Sequence, residues 1–138
     1  MRYMILVKAT RDSEAGVMPA DSLFAEMAKY HEELAKAGML IDGSGLKPSK
    51  HGWRIEYDGA GRTVVDGPFA ETKELVAGYT IIQARSREEA LEWTRRFPNP
   101  AVDGGRCEIE VRPFYELEDF AHVTDVERFR KIGLGEKQ

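Results

Sequence analysis

Two short runs, Tyr3 to Val7 and Leu75 to Ala84, carry apolar side chains at odd and even positions alike. Successive side chains of a β-strand point to opposite faces of its sheet, so an apolar residue at every position asks for cover on both sides. Both runs are too short and too rich in β-branched and aromatic residues to be read as helices, and both are therefore expected to be strands. In the longer one, Val76, Thr80 and Ile82 share one face, and Ala77, Tyr79 and Ile81 share the other.

The rest of the chain supplies what such strands pack against. From about Asp21 to Ala37, Leu23, Phe24, Met27, Leu34 and Ala35 recur at helical spacing, with Glu26, Lys29, Glu33 and Lys36 on the opposite side. Gly38 stands where a C-cap glycine belongs. Met39 to Ile41 can form a short strand leading into an Asp42-Gly43-Ser44-Gly45 turn. Trp53, Ile55 and Tyr57 alternate with Arg54 and Glu56, the pattern of a half-buried strand, and a glycine-rich turn at Asp58 to Gly61 makes a hairpin with Thr63 to Asp66. Ser86-Arg87-Glu88-Glu89 reads as a capping box opening a second helix that ends before Pro98. Glu108 to Arg112 is the last strand, with Ile109 and Val111 facing inward. Thr124-Asp125-Val126-Glu127 is a second capping-box match for a short helix to about Ile132, and Gly133 to Gln138 is expected to fray.

The resulting order is a split βαβ plan: α+β, βαββαβ, with an antiparallel sheet. The two strands that are apolar on both faces take the centre. The alternating ones, Trp53 to Tyr57 and Glu108 to Arg112, take the edges. Right-handed crossovers place both helices on one face, leaving an apolar patch on the other that a monomer rarely exposes. Burial at about 25 cal/mol per Å² favours pairing that face with a second copy, so a homodimer is expected.

At 138 residues the chain suits one domain, assigned to residues 1–118 with a C-terminal helical tail over 119–138. Its 42% hydrophobic and 32% charged residues are those of a globular protein, and a net charge of −4 argues against nucleic acid or an anionic membrane as partner. No apolar run approaches the ~20 residues needed to span a bilayer. Met1 to Ala9 lacks the features of a secretory leader and reads as a strand. The single cysteine, Cys107, excludes an internal disulfide and suits a reducing cytoplasm. It reads as a packing residue, not a nucleophile.

Among residues with chemistry to offer, His31 lies four residues after Met27 and seven after Phe24, on the apolar stripe of the first helix, and should point at the sheet. It is either a satisfied core histidine or an acid/base in a pocket between helix and sheet. His51 and His122 have no partners at metal-ligand spacing, so no metal and no cofactor are expected. The segment Asp66-Gly67-Pro68-Phe69-Ala70-Glu71-Thr72-Lys73-Glu74 is the densest cluster of unusual residues. Asp66 suits an Asx turn, Phe69 a plug at the core edge, and Glu71 and Lys73 either solvated charges or a grip on a polar ligand.

That segment, followed by Gly78-Tyr79, resembles the signature of the DGPF branch of the YCII-related family. Support comes from His31 with Gly38 and Gly43, from Glu89-Ala90-Leu91-Glu92-Trp93, and from Glu110-Val111-Arg112-Pro113-Phe114. The resemblance covers about Met1 to Glu118. It implies a ferredoxin-like subunit that dimerises into an α+β barrel, and an acid/base pair made of a helix histidine and an aspartate preceding a proline. His31 matches the histidine, whereas the aspartate position corresponds to Asn99 before Pro100. Asparagine can orient an imidazole but cannot stabilise an imidazolium as a carboxylate does, which leaves Asp66 as the substitute.

Two functions follow as expectations. One is a cofactor-free enzyme acting on a small organic substrate, with His31 and Asp66 catalytic and Asn99, Glu71, Lys73 and Tyr79 meeting the ligand. The other is a non-catalytic ligand-binding or regulatory dimer. A monooxygenase or isomerase role rests on fold analogy alone.

Overall fold

The computed structural model describes residues 1–135. The chain opens with β1 (Arg2–Lys8) and a single helical turn, α1 (Arg11–Glu14), closed by a reciprocal capping box between Thr10 and Ser13. The long helix α2 (Asp21–Lys36) follows and ends at Gly38, whose φ of 73° is the left-handed conformation a C-cap glycine supplies. Then come β2 (Leu40–Gly45), the hairpin β3 (Trp53–Asp58) and β4 (Gly61–Asp66), β5 (Val76–Gln83), α3 (Arg87–Arg95), β6 (Ile109–Pro113) and α4 (Val126–Lys131).

Four strands form one antiparallel sheet in the order β2-β5-β1-β6. β1 and β5 are central, as their two apolar faces require. One edge differs from expectation. Asp42 to Gly45 is not a turn but the body of edge strand β2, and the alternating Trp53 to Tyr57 segment pairs only with β4 as a separate two-stranded sheet. The register explains the choice. Gly43 and Gly45 lie opposite Thr80 and Gly78, and a Cβ on Gly78 would come within 3.0 Å of the Ser44 carbonyl. Strands that close favour residues without side chains, so a stretch that looks like a turn by composition serves as an edge.

Both main helices pack on one face. Tyr30 and Leu34 of α2 and Ala90 of α3 join Tyr3, Ile5 and Ile82 in a single core, with Ile109 and Val111 packed against it as expected. Ile5, Leu34 and Ile82 are fully buried. The opposite face carries Met4 and Leu6 across from Ile81 and Tyr79, all half-buried, flanked by Glu110 and Arg112 at one side and Asp42 and Ser44 at the other.

The predicted caps are only partly realised. Ser86 accepts from the Glu89 amide, but Glu89 reaches past Ser86 to the Arg85 amide and guanidinium. That ion pair holds the Glu89 carboxyl below its usual range. The helix near the C-terminus starts after Asp125, with no side-chain cap from Thr124. Fraying expected from Gly133 onward concerns partly residues 136–138, which lie outside the described residues. No helix among the described residues is long and apolar enough to cross a membrane.

Candidate functional site

The glycines that let β2 close on β5 also leave the helix face of the sheet bare at one end. Val7, Gly78 and Gly45 stand in one row of the sheet, and Thr80 and Gly43 in the next. A Cβ on Gly43 would lie 3.3 Å from the Tyr79 carbonyl and 3.5 Å from the Thr80 hydroxyl, so a side chain there would crowd the neighbouring strand and fill the floor beside Thr80. Above it, the first half of α2 does not reach the sheet. Leu23 and Met27 stay half-buried and Phe24 is 51% exposed, whereas Tyr30 and Leu34 further along are buried. An open cleft of about 1230 Å³ results between α2 and the sheet. Its mouth is bounded by the loop through Val17 and Met18 and by the segment from Leu46 to His51, and its inner end by Phe97, Pro100 and Val102.

His31 lies on the wall of this cleft, half-buried and pointing at the sheet. Its Nδ1 is 2.7 Å from the Met27 carbonyl and its Nε2 is 2.9 Å from the Thr80 hydroxyl. A carbonyl only accepts, so Nδ1 carries the hydrogen. In the neutral ring, Nε2 is then the acceptor for Thr80. Rings fix the imidazole plane: Tyr30 and Phe97 meet it edge-on, with centroids 5.6 Å and 6.1 Å away. Tyr30 in turn donates to the Trp93 carbonyl at 2.7 Å, which ties α2 to α3, and burial pushes its phenol up to about 12. Through helix spacing, main-chain anchoring and two rings, the fold orients one imidazole nitrogen toward the floor of an apolar cleft.

The other residues singled out in the sequence do not meet there. Asn99 sits in the connection between α3 and β6 and is consumed by it. Its amide donates to the Gly104 and Gly105 carbonyls, and its oxygen accepts from the Ala101 amide and the Cys107 thiol. It orients a loop, not His31. Burial raises the Cys107 thiol, which keeps it a poor nucleophile. Asp66 ends β4, exposed, opposite Trp53 at the base of the hairpin, and does not line the cleft. No Asx turn forms. The Gly67 amide donates to the Gly52 carbonyl and the Phe69 amide to the Ser49 hydroxyl. Glu71, at φ 60°, and Lys73 lie exposed around a 3-10 turn outside the cleft. Tyr79 borders the cleft, but its hydroxyl turns to Asp42, which faces the other side of the sheet with Ile81. Its main chain is the part that lines the floor.

The segment Asp66 to Phe69 shapes the cleft mouth instead. A Cβ on Gly67 would fall 1.9 Å from the Ser49 carbonyl, so only glycine lets this loop pack on the 3-10 turn Ser49–His51. Ser49 is also held by Glu14, whose carboxylate accepts from the Ser49 amide at 2.8 Å and from its hydroxyl. Phe69 is half-buried with the Arg54 guanidinium stacked 3.9 Å above its ring. Sequence reasoning missed Thr80, and the signal was present. It is the one hydroxyl on the helix-facing side of an otherwise apolar central strand, and it is 2% exposed. Among the described residues no three His, Cys, Asp or Glu side chains gather closely enough to hold a metal.

Fold and site together define a ferredoxin-like α+β domain with a ligand-sized cleft between its first long helix and its sheet. The model of the YCII-related domain matches residues 1–115, and the chain belongs to that family. Among curated proteins it is similar to an uncharacterized protein of Rhizobium meliloti (strain 1021), 27% identical over 96 residues that span 70% of this chain and 77% of that one. Among solved structures it is similar to the 5-chloro-2-hydroxyhydroquinone dehydrochlorinase of Burkholderia phenoliruptrix AC1100 in complex with 2,5-dihydroxybenzoquinone. That match has a TM-score of 0.46 and 15% identity, covering 84% of this chain and 95% of the other, a likeness too distant to bear on activity.

Proposed function

We propose that the chain is a cofactor-free acid/base enzyme of the DGPF branch acting on a small, largely apolar organic molecule in this cleft. The observation that carries the reading is His31 itself. Its Nδ1–H is anchored on a main-chain carbonyl and its Nε2 lone pair meets only a hydroxyl, beside a cavity large enough for a substrate. A substrate proton brought to Nε2 takes the place of the Thr80 hydroxyl. The imidazolium that forms keeps its Nδ1–H on Met27 and returns the proton at another atom of the substrate. No carboxylate hydrogen-bonds the ring among the described residues, so the transfer relies on the imidazole alone, with Thr80 as positioning residue.

The half-buried apolar strip of Met4, Leu6, Tyr79 and Ile81 supports pairing of two copies through the open sheet face, in the manner of a dimeric α+β barrel. The lone cysteine fits a cytoplasmic setting.

The test is a screen of small organic compounds for thermal stabilisation, each binder then followed by NMR for chemical change. His31→Gln is expected to lower kcat by roughly 100-fold or more with little change in KM. Compounds that bind in the cleft yet stay unchanged with the wild type, or that His31→Gln transforms equally well, would sink the catalytic reading. A non-catalytic ligand-binding dimer would then take its place.

A further inference from the structure

The charge around the cleft is one-sided. Lys47, Lys50 and His51 lie on the segment at its mouth, and no aspartate or glutamate lines it among the described residues. The chain as a whole has the opposite balance, 24 acidic against 20 basic residues. Neither lysine belongs to an ion pair among the described residues. The carboxylate hydrogen-bonded to this segment, Glu14, is spent on the Ser49 amide and hydroxyl. It fixes the turn that bears Lys50 and His51. Against this basic mouth, the inner wall is apolar, formed by Leu23, Phe24, Met27 and Phe97.

We infer that the cleft selects a small aromatic or aliphatic molecule bearing an anionic group, with its apolar body against α2 and Phe97 and its charge at Lys47 and Lys50. A buried apolar body supplies area-dependent affinity but little discrimination, whereas two cations that belong to no ion pair among the described residues, beside a cleft no carboxylate lines, reward a carboxylate or similar anion over its neutral isostere. This names the substrate class for the acid/base reading above, and it rests on that reading only for the word substrate.

The probes are 2-naphthoate and 2-naphthamide, alike in shape and different in charge, titrated calorimetrically into the full chain and located by amide shifts. Naphthoate is expected to bind roughly tenfold tighter at low salt, the difference shrinking as added salt screens it. The Gly43 and Gly78 amides should shift with it. In the Lys47→Gln/Lys50→Gln double variant, two exposed changes that leave the core untouched, the preference should fall to within about twofold. Equal affinity for the two probes in the wild type, a preference that survives the double variant, shifts confined to another surface, or no naphthoate binding below about 5 mM would each overturn the inference. The two readings fail differently. If anions bind preferentially but no acid is ever transformed, the catalytic reading falls and this one stands. If turnover depends on His31 but favours neutral compounds, the reverse holds.

Discussion

His31 and Tyr30 are neighbours in sequence with opposite fates. The side chain at 31 meets a cleft and keeps a nitrogen available to a ligand, while the side chain at 30 enters the core and gives its only proton to a carbonyl. The buried phenol has a thermodynamic signature. The folded chain holds the Tyr30 proton more tightly than the unfolded chain, where a tyrosine titrates near 10. The contribution is therefore complete below pH 10 and is lost as pH rises from about 10 to about 12. A shift of that size corresponds to on the order of 3 kcal/mol. Urea unfolding of the wild type and Tyr30→Phe should diverge at neutral pH by about 1 kcal/mol, since the Trp93 carbonyl keeps the Arg96 amide as a partner. The gap should close and then reverse as pH climbs through that window, and a constant gap would show that Tyr30 does not titrate late. At the neighbouring site, Thr80→Val keeps the volume and removes the hydroxyl, so the His31 ring loses one of two anchors. We expect roughly tenfold slower turnover with stability lower by about 1 kcal/mol, measured as kcat beside the unfolding midpoint.

At the scale of elements, the segment around Gly67 is a brace between three pieces of chain: the α1 turn through Glu14, the 3-10 turn at Ser49 and the strand leaving the hairpin. Gly67→Ala places a methyl group against main chain, which cannot rotate away as a side-chain tip can. A loss of roughly 1–3 kcal/mol is expected, with amide shifts moving along Ser49 to His51 and the cleft mouth. A silent substitution would mean the brace is looser than the contact distance implies. In the core, Leu34→Ala should cost about 2–5 kcal/mol, because this fully buried side chain joins α2 to the sheet.

For the whole molecule, the proposed dimer rests on the open face of the sheet. Leu6 and Ile81 lie near its centre, so Leu6→Asp should be silent in a chain that works alone. In the proposed dimer it should halve the mass measured by sedimentation while the circular dichroism of the subunit stays unchanged. A wild type that sediments as a monomer at micromolar concentration would remove the dimer.

The core of this fold was legible in order: two strands apolar on both faces had to be central, the 3.6-residue stripe had to be α2, and Gly38 had to end it. His31 was legible as a sheet-facing imidazole because helix periodicity fixes which way a side chain points. Periodicity carries no long-range information, however. It could not show that the glycine-rich stretch at 42 to 45 closes on β5 while the better-looking strand at 53 to 57 pairs elsewhere. That outcome depends on backbone approach between residues some 35 positions apart. Nor could it show that Asn99 and Asp66 lie away from His31 while Thr80, 49 residues distant in sequence, completes its hydrogen bonding. Local patterns determined the elements and their faces. Only packing in three dimensions decided which polar groups meet, because a hydrogen bond needs a few ångströms of proximity that no local pattern specifies.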